Sequence, residues 1–543
     1  MTRTTAPSHD DAPRRVSRGV LYGVHAVAAV GIVLAACSSG GDDPTSSADV
    51  TTATAATTDD TTSTTGATAD DDASTGTFAD ADSDASGDAG LDDDGASNGV
   101  RPVSFASDVQ PILESNCASC HIAEGPGTVH LDMATAGGLD SFDATYIEAV
   151  VSVGYMPPWP AADGDVEFHD DRRLDDVSKD VLAAWAEQGG EIDVDPDTPI
   201  VPTRQNVEPI ERDLVLQAEP YKGSADDVDD YRCQIFDPEF TESGFVQGYA
   251  FEADRTEVVH HALLFKAGAE LRETVEQIDA ADPDVGWSCT GLAGIRGVNQ
   301  ILSWAPGQDP TELPADTGLT AEPGDFFVVQ IHYHYEDETA DLAPDQSTLV
   351  IDVASDEVIE ANGGTLDPVE LTLYLGPAEI PCSTEETGPL CDRDAAIADL
   401  SARTGTLGGF AANGLMALCG ASPDDFAEMT NGIASSTCDL PATPGRIVSV
   451  WGHEHEIGAS FKMTLNPDTP DEKVLLDIPN WDFDWQLNYA PVEDIVLERT
   501  DVIRVECTWD RARLPDDAEP RYVLWAEGTD DEMCYSQIVT RPA

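Results

Sequence analysis

The chain has 543 residues, 41% of them hydrophobic, and carries 104 acidic against 27 basic side chains, a formal net charge of −77. That length is too great for a single core and suggests three or four domains at about 150 residues each. So acidic a surface repels phosphate, which disfavours nucleic acid and anionic membrane surfaces as partners.

The chain opens on a charged start (Arg14, Arg15, Arg18) and an apolar stretch over 20–36. Leu34-Ala35-Ala36-Cys37, followed by Ser38 and Ser39, resembles the bacterial lipobox. The resemblance implies a signal peptide over 1–36, cleaved before an acylated Cys37. The mature protein is then exported and lipid-anchored to the cell envelope, periplasmic or on the outer surface. It meets the membrane only through that anchor, because no other apolar run approaches the roughly 20 residues of a span. Residues 38–100 hold fifteen Asp and no Lys or Arg, with few large apolar groups. They cannot bury enough surface to offset the ordering entropy, so 37–100 reads as a disordered, self-repelling tether.

Residues 101–195 read as a small all-α unit. A helix is predicted over 108–115 and a second over 176–188, with Val177, Val181, Leu182 and Trp185 on one side. The first helix leads into Cys117-Ala118-Ser119-Cys120-His121, the C-x-x-C-H spacing of covalent haem attachment. Both thiols add to the haem vinyl groups, and His121 supplies one axial ligand. A second axial ligand is needed. Met156, in the Pro-rich Gly154-Tyr155-Met156-Pro157-Pro158-Trp159, is the choice, with Met133 and His130 as competitors. The unit resembles class I cytochromes c, which implies one haem c in electron transfer. Pro196, Pro199 and Pro202 mark a linker over 196–206.

Beyond residue 207 the pattern turns to β. Short apolar or alternating runs recur at 257–265, 326–335, 370–375, 446–465, 501–509 and 522–527, separated by Gly, Pro and Asp clusters. Many such strands without helical repeats predict sandwiches or barrels. The stretch is long enough for two all-β sandwiches, 207–362 and 363–543, divided where Asn362-Gly363-Gly364 breaks the pattern.

Six of the eleven His lie past residue 255, as His260-His261, His332-Tyr333-His334 and His453-Glu454-His455. In a strand, positions i and i+2 share a face, so His453 and His455 can grip one metal, as can His332 and His334. Adjacent His260 and His261 point to opposite faces of a regular strand. They can share a metal only at a twisted strand end or through different ring nitrogens. Spacing alone gives an imidazole-rich site for copper or zinc.

Four separated motifs go further. Val258-Val259-His260-His261-Ala262-Leu263-Leu264-Phe265, Val328-Val329-Gln330-Ile331-His332-Tyr333, Trp451-Gly452-His453-Glu454-His455-Glu456-Ile457-Gly458 and Asp531-Glu532-Met533-Cys534 resemble, in order, the motifs of the copper type II, ascorbate-dependent monooxygenases. This is the family of the peptidylglycine α-hydroxylating and dopamine β-monooxygenases. Trp304-Ala305-Pro306-Gly307 adds a weaker match. The resemblance implies two β-sandwich (jelly-roll-like) domains, each with one copper, facing each other across a solvent-filled cleft. His260, His261 and His332 would hold the electron-transferring copper. His453, His455 and Met533 would hold the copper at which dioxygen is used. A C–H bond of a small organic substrate is hydroxylated, with one electron stored at each copper. The reductant is one such as ascorbate or an electron-donor protein, and the fused haem would relay to the copper. The alternative is a non-catalytic copper and haem electron-transfer lipoprotein.

The resemblance also implies disulfides Cys233–Cys289 and Cys507–Cys534. For Cys382, Cys391, Cys419 and Cys438, three pairings are open, and proximity favours Cys382–Cys391 with Cys419–Cys438. An even set of eight fits an oxidising compartment. There are departures from the family. His334 has no place in the single-His motif. Trp451 and Gln537 stand where the peptide-amidating members place an Arg and a Tyr that hold a substrate carboxylate, so a glycine-extended peptide is disfavoured. Residues 380–440 look like an insertion with its own Cys pairs.

Overall fold

The computed structural model describes residues 101–543, apart from 123–124, 126, 129, 142, 204–209, 224–228, 290–292, 306–307, 309, 336–342, 405 and 516–517. The signal segment, Cys37 and the acidic tether lie outside the described residues, as do Pro306 and Gly307.

The first described elements are helical. A π-helical turn, Phe105–Val109, runs into α1 (Gln110–Asn116) and the single turn α2 (Ala118–His121), followed by α3 (Ala144–Ser152) and α4 (Asp176–Glu187). Carboxylates cap the longer helices: Asp143 accepts from the Thr145 N–H and Asp175 from the Ser178 N–H. Phe105, Leu113, Ile147, Leu182 and Trp185 close a small core. Val177, expected on the packed side, is exposed. The stretch 196–203, read as linker, lies along these helices. Ile200 is buried in their core, and the Thr203 N–H donates to Glu114 O at 2.8 Å. An isoleucine among the prolines gives this stretch apolar area to bury, so the Pro count alone misjudges it.

The rest is mostly β. In the first half the strands are β1 (Leu214–Gln217), β2 (Asp229–Phe236), β3 (Gly244–Glu252), β4 (Val259–Ala267), β5 (Trp287–Ser288), β6 (Asn299–Trp304), β7 (Thr311–Glu312), β8 (Thr317–Ala321), β9 (Phe326–His334), β10 (Thr348–Val353) and β11 (Asp367–Pro368). They form two sheets, β1-β10-β3-β8-β11 with β7 on β3, and β5-β2-β9-β4-β6. Phe236, Phe251, Phe327, Ile331 and Leu349 fill the space between them. Aromatic and β-branched residues of this kind suit a pleated, half-buried surface.

The second half holds β12 (Glu370–Gly376), β13 (Glu379–Ile380), β14 (Ile433–Pro441), β15 (Gly445–His453), β16 (Gly458–Leu465), β17 (Lys473–Ile478), β18 (Val496–Leu497), β19 (Val502–Asp510), β20 (Val523–Leu524) and β21 (Cys534–Arg541). Its main sheets are β12-β21-β15-β18 and β14-β19-β16-β17. Strand β14 alternates exposed and buried along its whole length, and Phe461, Met463, Trp509 and Ile538 are fully buried in the core behind it. Both halves are consistent with β-sandwiches. Among the described residues, the stretch 380–440 contributes three helices, Arg393–Thr404, Thr406–Leu418 and the single turn Pro423–Phe426, which periodicity did not disclose.

The segment between α3 and α4 joins the core of the second half. The chain leaving Met156 runs across the second sandwich, where Ala161 and Val166 join its apolar cluster. Phe168 forms a bridge with Pro491, and Trp159 and Phe168 pack on the Tyr489 ring at 5.3 and 5.1 Å. All eight remaining cysteines are paired, as Cys233–Cys289, Cys382–Cys391, Cys419–Cys438 and Cys507–Cys534. Such bonds fit an extracellular or periplasmic protein. Among the described residues, no helix is long and apolar enough to cross a membrane.

Candidate metal centre

Strand β9 lies between β2 and β4 and carries His332 and His334 at its end. On β4, Val259 pairs with Tyr333 and His261 with His332, so the register slips at His260. That bulge resolves the problem of adjacent histidines. An extra residue on one strand re-aims its side chain, and His260 turns towards the same place as His261. The His261 and His332 Nδ1 atoms are 3.3 Å apart. Two ligands on a tetrahedral metal with bonds of ~2.0 Å would stand about that far apart. His260, His261 and His332 each present a ring nitrogen within 4.8 Å of the others, and the buried His260 Nε2 has no hydrogen-bond partner.

The second cluster differs from the strand pair expected. His453 is the last residue of β15, and His455 follows in a loop rather than two positions along a strand. The loop holds it: the His455 N–H donates to Glu532 Oε2 at 2.9 Å and its Nδ1 donates to Asp531 O at 3.2 Å. The two rings are 4.9 Å apart. His453 stacks on Trp451 at 5.3 Å and meets Tyr535 edge-on at 6.0 Å. Met533 is buried in a cluster with the same Trp451 and Tyr535. Just before His453, the ring of Phe461 occupies the space a side chain would need, within 2.5 Å of a Cβ placed on Gly452.

Hydrogen bonds fix which nitrogens face inward. Gln486 Nε2 donates to Phe483 O, which turns Oε1 to accept from His453 Nδ1. His453 and His455 therefore present Nε2, whereas His332, whose Nε2 donates to Asp229, presents Nδ1. Burial and the neighbouring imidazoles hold His260 and His261 well below the usual histidine range. Burial, with His455 beside it, lowers His453 to about 3; burial lowers His455 to about 4. All are neutral near pH 7, the state that binds metal. Behind the loop, burial pushes Glu532 up to about 8 and Glu454 well above the carboxylate range.

The cleft implied by the family resemblance is closed here: the His261 and His453 rings lie 5.9 Å apart. Phe483 caps the junction, stacked on His260 at 4.2 Å and edge-on to His455 at 6.2 Å. A cavity of 380 Å³ opens beside it, lined by His260, His334, Trp481, Phe483, Asp484 and Arg513. Trp451 is buried against His453 rather than lining this cavity, and Gln537 is spent on Ser303 and Gln300 across the two halves. Sequence reading missed Asp229, Thr529, Gln486 and Phe483. Only Asp229, near the end of a run of aspartates before a strand, carries any visible signal.

In the helical elements, burial, with Cys120 beside it, pushes the Cys117 thiol up to about 12. His121 Nδ1 donates to Leu131 O at 2.9 Å, which leaves Nε2 for a ligand. Met133 is buried in the helical core, while Met156 stands half-buried outside it and His130 is exposed.

No family model and no curated protein matches the chain. Solved structures with some likeness include the infectious bursal disease virus VP2 subviral particle and oxalate decarboxylase from Bacillus subtilis. The first is 6% identical over 62% of this chain and 73% of that one, with a TM-score of 0.14. The second is 9% identical over 63% of this chain and 80% of that one, with a TM-score of 0.12. Likenesses this weak bear on neither fold nor function.

Proposed function

We propose that this chain is an exported copper monooxygenase that hydroxylates a C–H bond of a small organic substrate. One observation carries the reading. Two clusters of buried, neutral imidazoles meet at His261 and His453, and each has its ring nitrogens aimed by a fixed partner. His260, His261 and His332 would hold one copper; His453, His455 and Met533 would hold the other. Imidazole serves both oxidation states, and a thioether favours Cu(I). Copper supplies one-electron redox chemistry and dioxygen activation. Hydroxylation joins the substrate C–H, dioxygen, two electrons and two protons to give an alcohol and water. The protein's residues orient the ligands, exclude water from the junction and offer the cavity beside Phe483 to the substrate.

The same reading gives the helical elements a cytochrome c-like role. Two thiols and a His whose Nδ1 is bonded to Leu131 O, leaving Nε2 for iron, suit covalent haem. Met156 would complete the iron site. The chain beyond it packs on Tyr489, whose backbone exchanges both hydrogen bonds with Val450, the neighbour of Trp451. That contact supports a relay of electrons, supplied by ascorbate or a donor protein, towards His453.

The test is copper and haem content per chain, on protein made in a host that matures cytochrome c. Two coppers and one haem are expected, with one copper lost from the His453→Ala/His455→Ala variant. Haem without copper would leave an electron-transfer lipoprotein and remove the enzyme.

A further inference from the structure

Strand β2 carries two residues that touch both metal clusters' surroundings at once. Asp229 and Tyr231, two apart on one strand, face the same side. Asp229 Oδ1 accepts from His332 Nε2 at 2.9 Å and from His334 Nδ1 at 2.9 Å. The Tyr231 ring stacks on His332 at 4.2 Å, nearly parallel. Each also bonds the turn that leads to Met533. The Thr529 hydroxyl donates to the Asp229 carboxylate at 2.6 Å and the Thr529 N–H donates to it at 3.1 Å. The Tyr231 hydroxyl donates to the Glu527 carbonyl.

The turn is tied at its far end to the second cluster. Asp531 O accepts from His455 Nδ1, and Glu532 Oε2 accepts from the His455 N–H. The Asp531 carboxylate is in turn clamped by Arg403 at 2.9 Å. Residues 527–533 therefore reach His332 through Asp229 and Tyr231 at one end, hold His455 at the other and lead into Met533. A histidine whose remote nitrogen is bonded to a carboxylate has its tautomer fixed and its metal-facing nitrogen made more basic.

We propose that Asp229 is a positioning residue that sets His332 for metal and, through Thr529, couples occupancy of the two metal sites. This rests on the two-copper reading above. Copper at His260, His261 and His332 holds the His332 ring, and with it Asp229, Thr529 and the turn before Met533. The second site is then bound in an already ordered turn. By linkage the effect is reciprocal, and such couplings change affinity about 5- to 150-fold.

The test is copper titration of the full chain, followed by EPR and equilibrium dialysis. The variants are Asp229→Asn and Thr529→Val, each also made in the His453→Ala/His455→Ala background. In that background Asp229→Asn should weaken the remaining site about 10- to 100-fold and alter its Cu(II) spectrum. Thr529→Val should change that spectrum and affinity there less than Asp229→Asn does. In the otherwise intact chain, Thr529→Val should weaken the cooperativity with which the wild type fills the two sites, while the Thr529 N–H and Tyr231 bonds remain. The proposal is overturned by an Asp229→Asn spectrum and affinity equal to wild type. Sites that already fill independently in the wild type would overturn it too. So would a further ion lost with Asp229→Asn or His334→Ala, because Asp229 would then be a ligand. Should the wild type bind no copper, the two-copper reading itself fails, which the same titration shows at its first step. Thr529→Val keeps the experiment decisive if Asp229→Asn does not fold.

Discussion

The imidazoles of His261 and His453 lie 5.9 Å apart, edge to face, although they belong to different halves of the chain. Two Cu(II) ions held by such neighbours share a magnetic environment. We expect the EPR signal of the fully loaded protein to integrate to less than its copper content. His261→Ala should restore a full-intensity signal from the remaining ion. A loaded wild type whose signal accounts for all its copper would show the halves standing apart.

Cys534 follows Met533 directly and is bonded to Cys507, closing a loop with a sequence separation of 27. A crosslink of that span is worth about 3.5 kcal/mol in the chain-entropy account. The Cys507→Ser/Cys534→Ser protein should unfold at lower denaturant by that amount. It should also lose copper from the His453 site before the His260 site under dialysis, because the bond anchors the Met533 turn to β19. Equal loss from both sites would remove any special tie to Met533.

Acid should weaken the second half through Glu386. Partial burial works to raise its carboxyl, and the paired bonds from Arg511 overcome this and hold it at about 2. A carboxyl lowered on folding stabilises above its ordinary value of 4.5 and ceases to do so as pH falls through 4.5 to about 2. Glu386→Gln should therefore cost about 1 to 3 kcal/mol at pH 7. The gap from wild type should narrow in denaturant titrations at pH 3. A gap of constant size would assign the loss to packing.

Reduced haem should be reoxidised when Cu(II) is present, a change read at the haem absorbance. Trp159→Leu, at the contact with Tyr489, should slow it. Haem that stays reduced beside bound Cu(II) would sink the relay.

Much of the metal centre is legible in the sequence because strands repeat every two residues and the motifs lie on them. His260, His261, His332 and His453 all fall on or at the end of predicted strands. The rest depends on non-local structure. The bulge at His260 arises from the register between β4 and β9, which no local pattern states. The run over 446–465 reads as one strand but breaks at the loop holding His455, because Glu532 and Asp531, far along the chain, bond its backbone N–H and its ring. The helices Arg393–Thr404 and Thr406–Leu418 were hidden by Ala, Gly and Thr, which give weak apolar periodicity. Asp229 joins the centre only because β2 pairs with β9, opposite His334. The four disulfides were legible by position, the outer pairs through the family resemblance and the inner ones through proximity.

The chain just past Met156 fills a trench in the second sandwich, with Ala161 and Val166 in its core and Phe168 against Tyr489. That sandwich is thus completed by residues that come before the whole first half. The helical elements cannot be traded between proteins as a cassette, because their exchange would strip this strap from Tyr489. A gene fragment beginning at β1 would encode a protein with an open apolar seam, prone to associate with copies of itself. A change at Trp159 or Phe168 therefore bears directly on the packing around Tyr489.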